Sequence, residues 1–120
     1  MAKLRHIALS VPDPEKAADF YCEAFDMERV GKTDSPLARG CYVSDGTITM
    51  ALLAYKSDEW SGYVEGEDER GKDWQGIHHM GFWVDDINET EKKIEAAGGK
   101  YFQGRPKEDA PTTFYEMKFR

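Results

Sequence analysis

The feature that most constrains this chain is an alternating octapeptide that occurs twice. Leu4-Arg5-His6-Ile7-Ala8-Leu9-Ser10-Val11 puts Ile7, Leu9 and Val11 on one face of an extended segment and His6, Ala8 and Ser10 on the other. A period of two marks a strand with one buried apolar face. The second half repeats the pattern as Ile77-His78-His79-Met80-Gly81-Phe82-Trp83-Val84, so that His6 matches His79, Leu9 matches Phe82, Val11 matches Val84 and Asp13 matches Asp86. Each copy leads into a helix-start signal and a helical pattern. A strand–helix unit used twice points to internal duplication. In both copies a histidine stands at the start of the strand, on the face away from the helix-packing residues. Two such units side by side aim His6 and His79 into one shared cavity. His78 alternates with Met80, Phe82 and Val84 and is expected to face the helix as a structural residue.

The intervening residues fill in the units. Asp13 caps a helix, Pro14 suits its first position and Glu15 meets the positive end of its dipole. Ala17, Phe20, Tyr21, Ala24 and Phe25 form an apolar stripe at helical spacing and are expected in the core. Residues 27–32 read as a short strand, followed by a turn at Asp34-Ser35-Pro36. Residues 39–44 and 47–55 read as a hairpin across Asp45-Gly46. In its second strand Ile48, Met50 and Leu52 share one face, and Thr49, Ala51 and Leu53 the other. Residues 56–76 are acidic and glycine-containing and read as a surface connection. Its Trp60, Tyr63 and Trp74 either anchor a solvated linker or cover a pocket or a partner chain. In the second unit Asp86 and Glu89 make a capping box, Ile87, Thr90, Ile94 and Ala97 a buried stripe, and Gly98-Gly99 a stop. Residues 100–103 and 112–120 read as strands, the latter with Phe114, Glu116 and Lys118 on the cavity face. The expectation is one α+β domain of two β-α-β-β-β modules, residues 1–56 and 76–120, joined by a loop at 57–75. The second module lacks its last strand.

Charge and apolar runs exclude several classes. A net charge of −7 over 120 residues opposes binding to nucleic acid or an anionic membrane, both of which need a positive field. No apolar run approaches the ~20 residues of a membrane span, and the N-terminus has no signal-peptide apolar region. Cys22 in a helical pattern and Cys41 in a strand pattern read as buried thiols, which makes a reducing cytoplasm the expected location.

His6-Ile7-Ala8-Leu9-Ser10-Val11 with Asp13-Pro14-Glu15-Lys16-Ala17-Ala18-Asp19-Phe20-Tyr21, and Gly76-Ile77-His78-His79-Met80-Gly81-Phe82-Trp83-Val84 with Asp85-Asp86-Ile87, resemble the vicinal oxygen chelate superfamily. That group includes glyoxalase I, bleomycin- and fosfomycin-resistance proteins, extradiol dioxygenases and methylmalonyl-CoA epimerase. The resemblance implies two modules forming a curved mixed sheet around a cup that holds a divalent metal, commonly through two histidines and two glutamates. Such a donor set suits Zn²⁺, Ni²⁺, Mn²⁺ or Fe²⁺. Open coordination positions then let the metal hold two adjacent substrate oxygens. Carried over, His6 and His79 match the first-strand ligands. The fourth-strand position of the first module is Ala51, which cannot bind metal, and the second carboxylate lies on the missing strand. Glu116, on the neighbouring strand, is the candidate third ligand and the candidate catalytic acid–base. The alternative for His6 and His79 is a pair of polar residues lining a metal-free pocket.

Tyr42, Thr49, Leu53, Trp83, Phe114 and Ser10 fall on the expected concave side, an aromatic and aliphatic cup for a small molecule. Lys118 and Arg39 are candidates to meet an anionic group. The open sheet edge left by the missing strand predicts a homodimer. Two functions follow: a glyoxalase-type metal-dependent lyase, isomerase or dioxygenase, or a non-catalytic protein that sequesters a small molecule as bleomycin-resistance proteins do.

Overall fold

A computed structural model describes residues 1–108 and 115–120. It has two compact units, Leu4–Phe82 and Met1–Lys3 with Trp83–Arg120.

The larger unit is built on a five-stranded mixed sheet. Its strands are β1 (Lys3–Ser10), β2 (Glu28–Asp34), β3 (Ala38–Ser44), β4 (Thr49–Tyr55) and β5 (Gly76–Trp83), in the order β2-β3-β4-β1-β5. β1 and β4 run parallel, with His6 opposite Thr49, Ala8 opposite Ala51 and Ser10 opposite Leu53. β3 and β4 form the expected hairpin, closed at Ser44 opposite Thr49. Its turn is held by the Asp45 carboxylate, which accepts from the amides of Thr47 and Ile48, both at 2.8 Å. Gly46 follows at φ +93°, a conformation that favours glycine.

The alternation produces two packed faces. Ala8, Ala38, Ala51, Leu53 and Tyr55 form one buried cluster, joined by Leu37 and Tyr42. Cys41, Val43 and Leu52 form the other with Ala18, flanked by Leu9, Val11 and Met50. The second face takes helix α1 (Pro14–Phe25), capped by Asp13, whose side chain accepts from the Lys16 amide. The apolar stripe of α1 is phased differently from expectation. Pro14 and Ala18 are buried, and Tyr21 and Cys22 pack beside them, whereas Phe20 and Phe25 are 57% and 63% exposed. Ala18 is the helix residue that enters the cluster of Cys41, Val43 and Leu52. Rings at 20 and 25 then fall beyond the contact and pack on one another and on Tyr21 instead, with centroids 5.2–6.1 Å apart.

The connection after β4 is more ordered than its composition suggests. A one-turn helix, α2 (Asp58–Ser61), is capped by the Ser57 side chain and closed by Gly62 at φ 85°. Val64 and Asp68 form an isolated bridge.

In the smaller unit, α3 (Ile87–Ala96) starts at Asp86, whose side chain accepts from the amides of Asn88 and Glu89, and none of its residues is fully buried. Strand β6 (Tyr101–Gln103) pairs antiparallel with β7 (Lys118–Phe119). The strand expected over 112–120 is therefore confined, among the described residues, to Lys118 and Phe119. Glu116 lies outside it, exposed and in irregular backbone.

Candidate functional site

Period-two alternation carries His6 to the face of the sheet that holds Ala8, Ala51 and Leu53, and the β1–β5 neighbourhood brings His79 beside it. The two Nε2 atoms lie 3.2 Å apart, with ring centroids at 5.2 Å and planes tilted by 48°. Gly81 makes room for this approach. A β-carbon there would meet Cβ and Cδ2 of His6, each at 3.2 Å.

His78 is the main departure from expectation. Its ring packs on Tyr55, a residue of the cup-side cluster, with centroids 4.9 Å apart, and the Tyr55 hydroxyl is 3.4 Å from Nδ1. The same Nδ1 is 2.9 Å from His79 Nδ1, and Nε2 is 2.6 Å from the carbonyl oxygen of Ser61. Among the described residues β5 is an edge strand, with a hydrogen-bonding neighbour on one side only. Its side chains answer to partners in the preceding loop as well as to the pleat. The loop grips the backbone too: Arg70 Nη1 donates to the His78 carbonyl at 2.5 Å. Asp68 holds that guanidinium by two hydrogen bonds, Nε to Oδ1 at 2.9 Å and Nη2 to Oδ2 at 2.7 Å, and keeps it firmly protonated. Sequence patterning assigned neither Ser61 nor Arg70 to the site, because both come from a segment without periodicity.

The remaining candidates distribute as follows. Thr49, Tyr42 and Leu53 lie with His6 in the larger unit. Thr49 is directly opposite His6, Tyr42 opposite Ala51, and Leu53 is 8% exposed in the cup-side cluster. Ala51, where the resemblance expects a carboxylate, is fully enclosed beside Ala8. Ser10 is 2% exposed, and its hydroxyl is the buried side-chain polar atom without a hydrogen-bond partner among the described residues. Trp83, Lys118 and Glu116 belong to the smaller unit. Trp83 is 64% exposed. Phe114 lies outside the described residues. Arg39 faces the helix side of the sheet. There it lines a cleft of about 310 Å³ with Pro14, Glu15, Lys32, Asp34 and Cys41. In that cleft the Cys41 thiol donates to Glu15 at 3.2 Å, and Arg29 donates to Glu15 at 3.0 Å. The bond from Cys41, and then that from Arg29, holds the Glu15 carboxyl below its usual value, while burial and then Glu15 push the thiol up.

The pair His6–His79 offers two imidazole nitrogens to one point. Two nitrogens each about 2.0–2.1 Å from a common ion, at tetrahedral or octahedral angles, are separated by about 2.9–3.4 Å. The observed separation falls within that range, so the donor pair fits a divalent metal at two of its positions. Within the larger unit Ala51 leaves no side-chain donor at the third.

Comparison with known proteins bears on the family and the fold. Residues 3–118 match the family model described as the glyoxalase/bleomycin resistance protein/dioxygenase superfamily. A probable lactoylglutathione lyase of Synechocystis sp. is 30% identical over 101 residues, covering 81% of this chain and 71% of its own length. Among solved structures, a hypothetical protein from Bacillus halodurans C-125 superposes with a TM-score of 0.67 at 21% identity, over 90% of this chain and 78% of the other. Methylmalonyl-CoA epimerase from Mycobacterium tuberculosis superposes with a TM-score of 0.64 at 15% identity, over 88% and 71%. At those identities the superpositions speak for the fold.

Proposed function

The chain belongs to the glyoxalase/bleomycin resistance protein/dioxygenase superfamily, and from that premise we propose that it is a glyoxalase-type, metal-dependent enzyme acting as a lyase, isomerase or dioxygenase. Its substrate is a small molecule bearing two adjacent oxygens. The observation that carries this reading is the 3.2 Å approach of His6 Nε2 and His79 Nε2. That separation is the one two neighbouring imidazole ligands of a single ion would have. Zn²⁺, Ni²⁺, Mn²⁺ and Fe²⁺ suit a site of imidazole and carboxylate donors. Such an ion supplies Lewis acidity toward the paired oxygens of a substrate. Glu116, carried forward from the alternation of residues 112–120, is proposed as the third ligand and as the group that moves a proton. Tyr42, Thr49 and Leu53 are proposed to contact the body of the substrate, while Trp83, Phe114 and Lys118 enter on sequence grounds alone.

The test is metal analysis of protein purified without chelator, with the His6→Ala/His79→Ala double variant as control. About one equivalent of metal in the parent and none in the double variant supports the reading. Equal and negligible metal in both removes it.

A second reading is favoured by one specific observation, the enclosed methyl of Ala51 in place of a ligand. It is a metal-free cup that sequesters a small molecule. A thermal-shift screen of metabolites and antibiotics in the presence of chelator separates the two. A compound that stabilises the chelated protein and is not turned over belongs to this second reading.

A further inference from the structure

The three short contacts of His78 and His79 fix a proton pattern. The Ser61 oxygen is a backbone carbonyl and can only accept, so His78 Nε2, 2.6 Å away, carries the hydrogen. In a neutral imidazole the other nitrogen, Nδ1, then holds a lone pair. His79 Nδ1 lies 2.9 Å from it and must be the donor. His79 in turn presents an unprotonated Nε2, the atom that faces His6 at 3.2 Å. We propose that His78 is a positioning residue: anchored on the Ser61 carbonyl, it holds His79 as the Nδ1–H tautomer and keeps its Nε2 lone pair turned toward His6. The inference rests on the metal-site reading for its purpose, though not for its geometry.

The anchor is built to stay in place. Ser61 is 1% exposed, and its hydroxyl bridges the carbonyls of Asp58 at 2.8 Å and Arg70 at 3.0 Å. Arg70 holds the His78 carbonyl as well. The ring of His78 is therefore fixed at Nε2 by the loop, and its backbone is fixed by the same loop through a guanidinium. Metal-binding histidines generally donate their second ring N–H to a carboxylate, carbonyl or water, and losing that partner typically lowers metal affinity about 10- to 100-fold. Here the acceptor is a second imidazole, which relays the hold to a main-chain carbonyl.

The chain has three histidines, so long-range ¹H–¹⁵N spectra of its imidazoles are assignable with one single-site variant per residue. In metal-free protein the expected result is a protonated Nδ1 and unprotonated Nε2 for His79, with the reverse for His78. His78→Asn keeps an acceptor oxygen near the Nδ1 position and should preserve the His79 tautomer. His78→Phe keeps the ring packing on Tyr55 and removes the acceptor, and should release His79 into a mixture of tautomers. A Co²⁺ titration should then show affinity in the order parent, Asn, Phe, with about a 10- to 100-fold loss for Phe at similar melting temperature. A parent His79 protonated at Nε2, or a Phe variant with an unchanged tautomer, overturns the proposal, and the parent measurement stands even if the Phe variant fails to fold. If the tautomers are as expected but the parent takes up no Co²⁺, the positioning role is upheld and the metal reading fails.

Discussion

Gly81 lies against the side chain of His6, so close that a β-carbon at position 81 would approach Cβ and Cδ2 of the histidine to 3.2 Å. That spacing is tighter than an ordinary methyl contact, and the ring would have to give by a few tenths of an ångström. The ring cannot move without changing its approach to His79. Gly81→Ala should therefore weaken metal uptake about tenfold or more while costing about 1–3 kcal/mol in stability. A titration with Co²⁺, read beside a urea melt, checks both numbers. Unchanged affinity in the alanine variant would mean that the approach of the two rings is not what binds metal.

Ser10 buries a hydroxyl on the cup side of β1, opposite Leu53, with no partner among the described residues. A buried polar group left unsatisfied costs about 1–3 kcal/mol. Ser10→Ala should accordingly leave the melting temperature unchanged or raise it, in contrast to most buried substitutions. If the hydroxyl serves a ligand, the same variant loses affinity for any compound found in the thermal-shift screen. A clear fall in stability without ligand would show that Ser10 is already satisfied in the resting protein.

Much of this arrangement was legible in the sequence because it depends on local periodicity. The alternation over β1 and β4 separates Ala8, Ala51 and Leu53 from Leu9 and Leu52, and the structure packs them in two different clusters. Asp13, Asp86 and Asp45-Gly46 act where capping and turn chemistry puts them. The same periodicity paired His6 with His79. It failed where partners come from far away in sequence. Phe20 and Phe25 look like core by spacing, yet the helix turns Pro14 and Ala18 to the sheet and leaves both rings exposed. His78 faces the helix by parity, yet on an edge strand the Ser61 carbonyl and the Tyr55 ring decide where it points. The loop that supplies Ser61 and Arg70 has no period to read.

The β3–β4 turn gives a pH dependence with a definite sign. Amides of Ile48 and Thr47 hold the Asp45 carboxyl below its ordinary value of 3.8. A carboxyl depressed by folding contributes stability that is complete above its unfolded value and is lost as pH falls through the lower folded one. Asp45→Asn keeps an oxygen acceptor and removes the charge. The variant should be less stable than the parent at pH 6, and the gap should close as the pH falls from about 5 to about 2. Parallel stability curves over that range would rule out the ionised form as the one that holds the turn.

Edge strand β5 exposes Ile77, Met80 and Phe82 by 60%, 57% and 57%. Apolar side chains repeated along a free edge invite pairing with another chain, and a second copy of this chain is the proposed partner. Light scattering on size-exclusion fractions should return twice the chain mass at micromolar concentration. Met80→Glu should shift it toward the single-chain value without lowering the yield of folded protein. A monomer in the parent would count against self-association through this edge.

Arg70 tests whether the loop governs the histidines. Its guanidinium is locked to Asp68 by two bonds and spends its remaining reach on the His78 carbonyl. Lysine can supply the charge but not the planar fork, so Arg70→Lys should behave like Arg70→Met. The side chain is 36% exposed, so solvent screens part of what the ion pair contributes, and the loss in global stability should be about 1 kcal/mol. The local effect should be larger. Amide hydrogen exchange in residues 58–71 should quicken by an order of magnitude or more, since the side-chain bonds that tie the loop to the His78 carbonyl and to Asp68 are lost. The His79 tautomer should loosen in step with it, because the carbonyl that anchors His78 moves with that segment. Faster exchange with an unchanged tautomer would confine Arg70 to holding the loop and leave His78 independent of it.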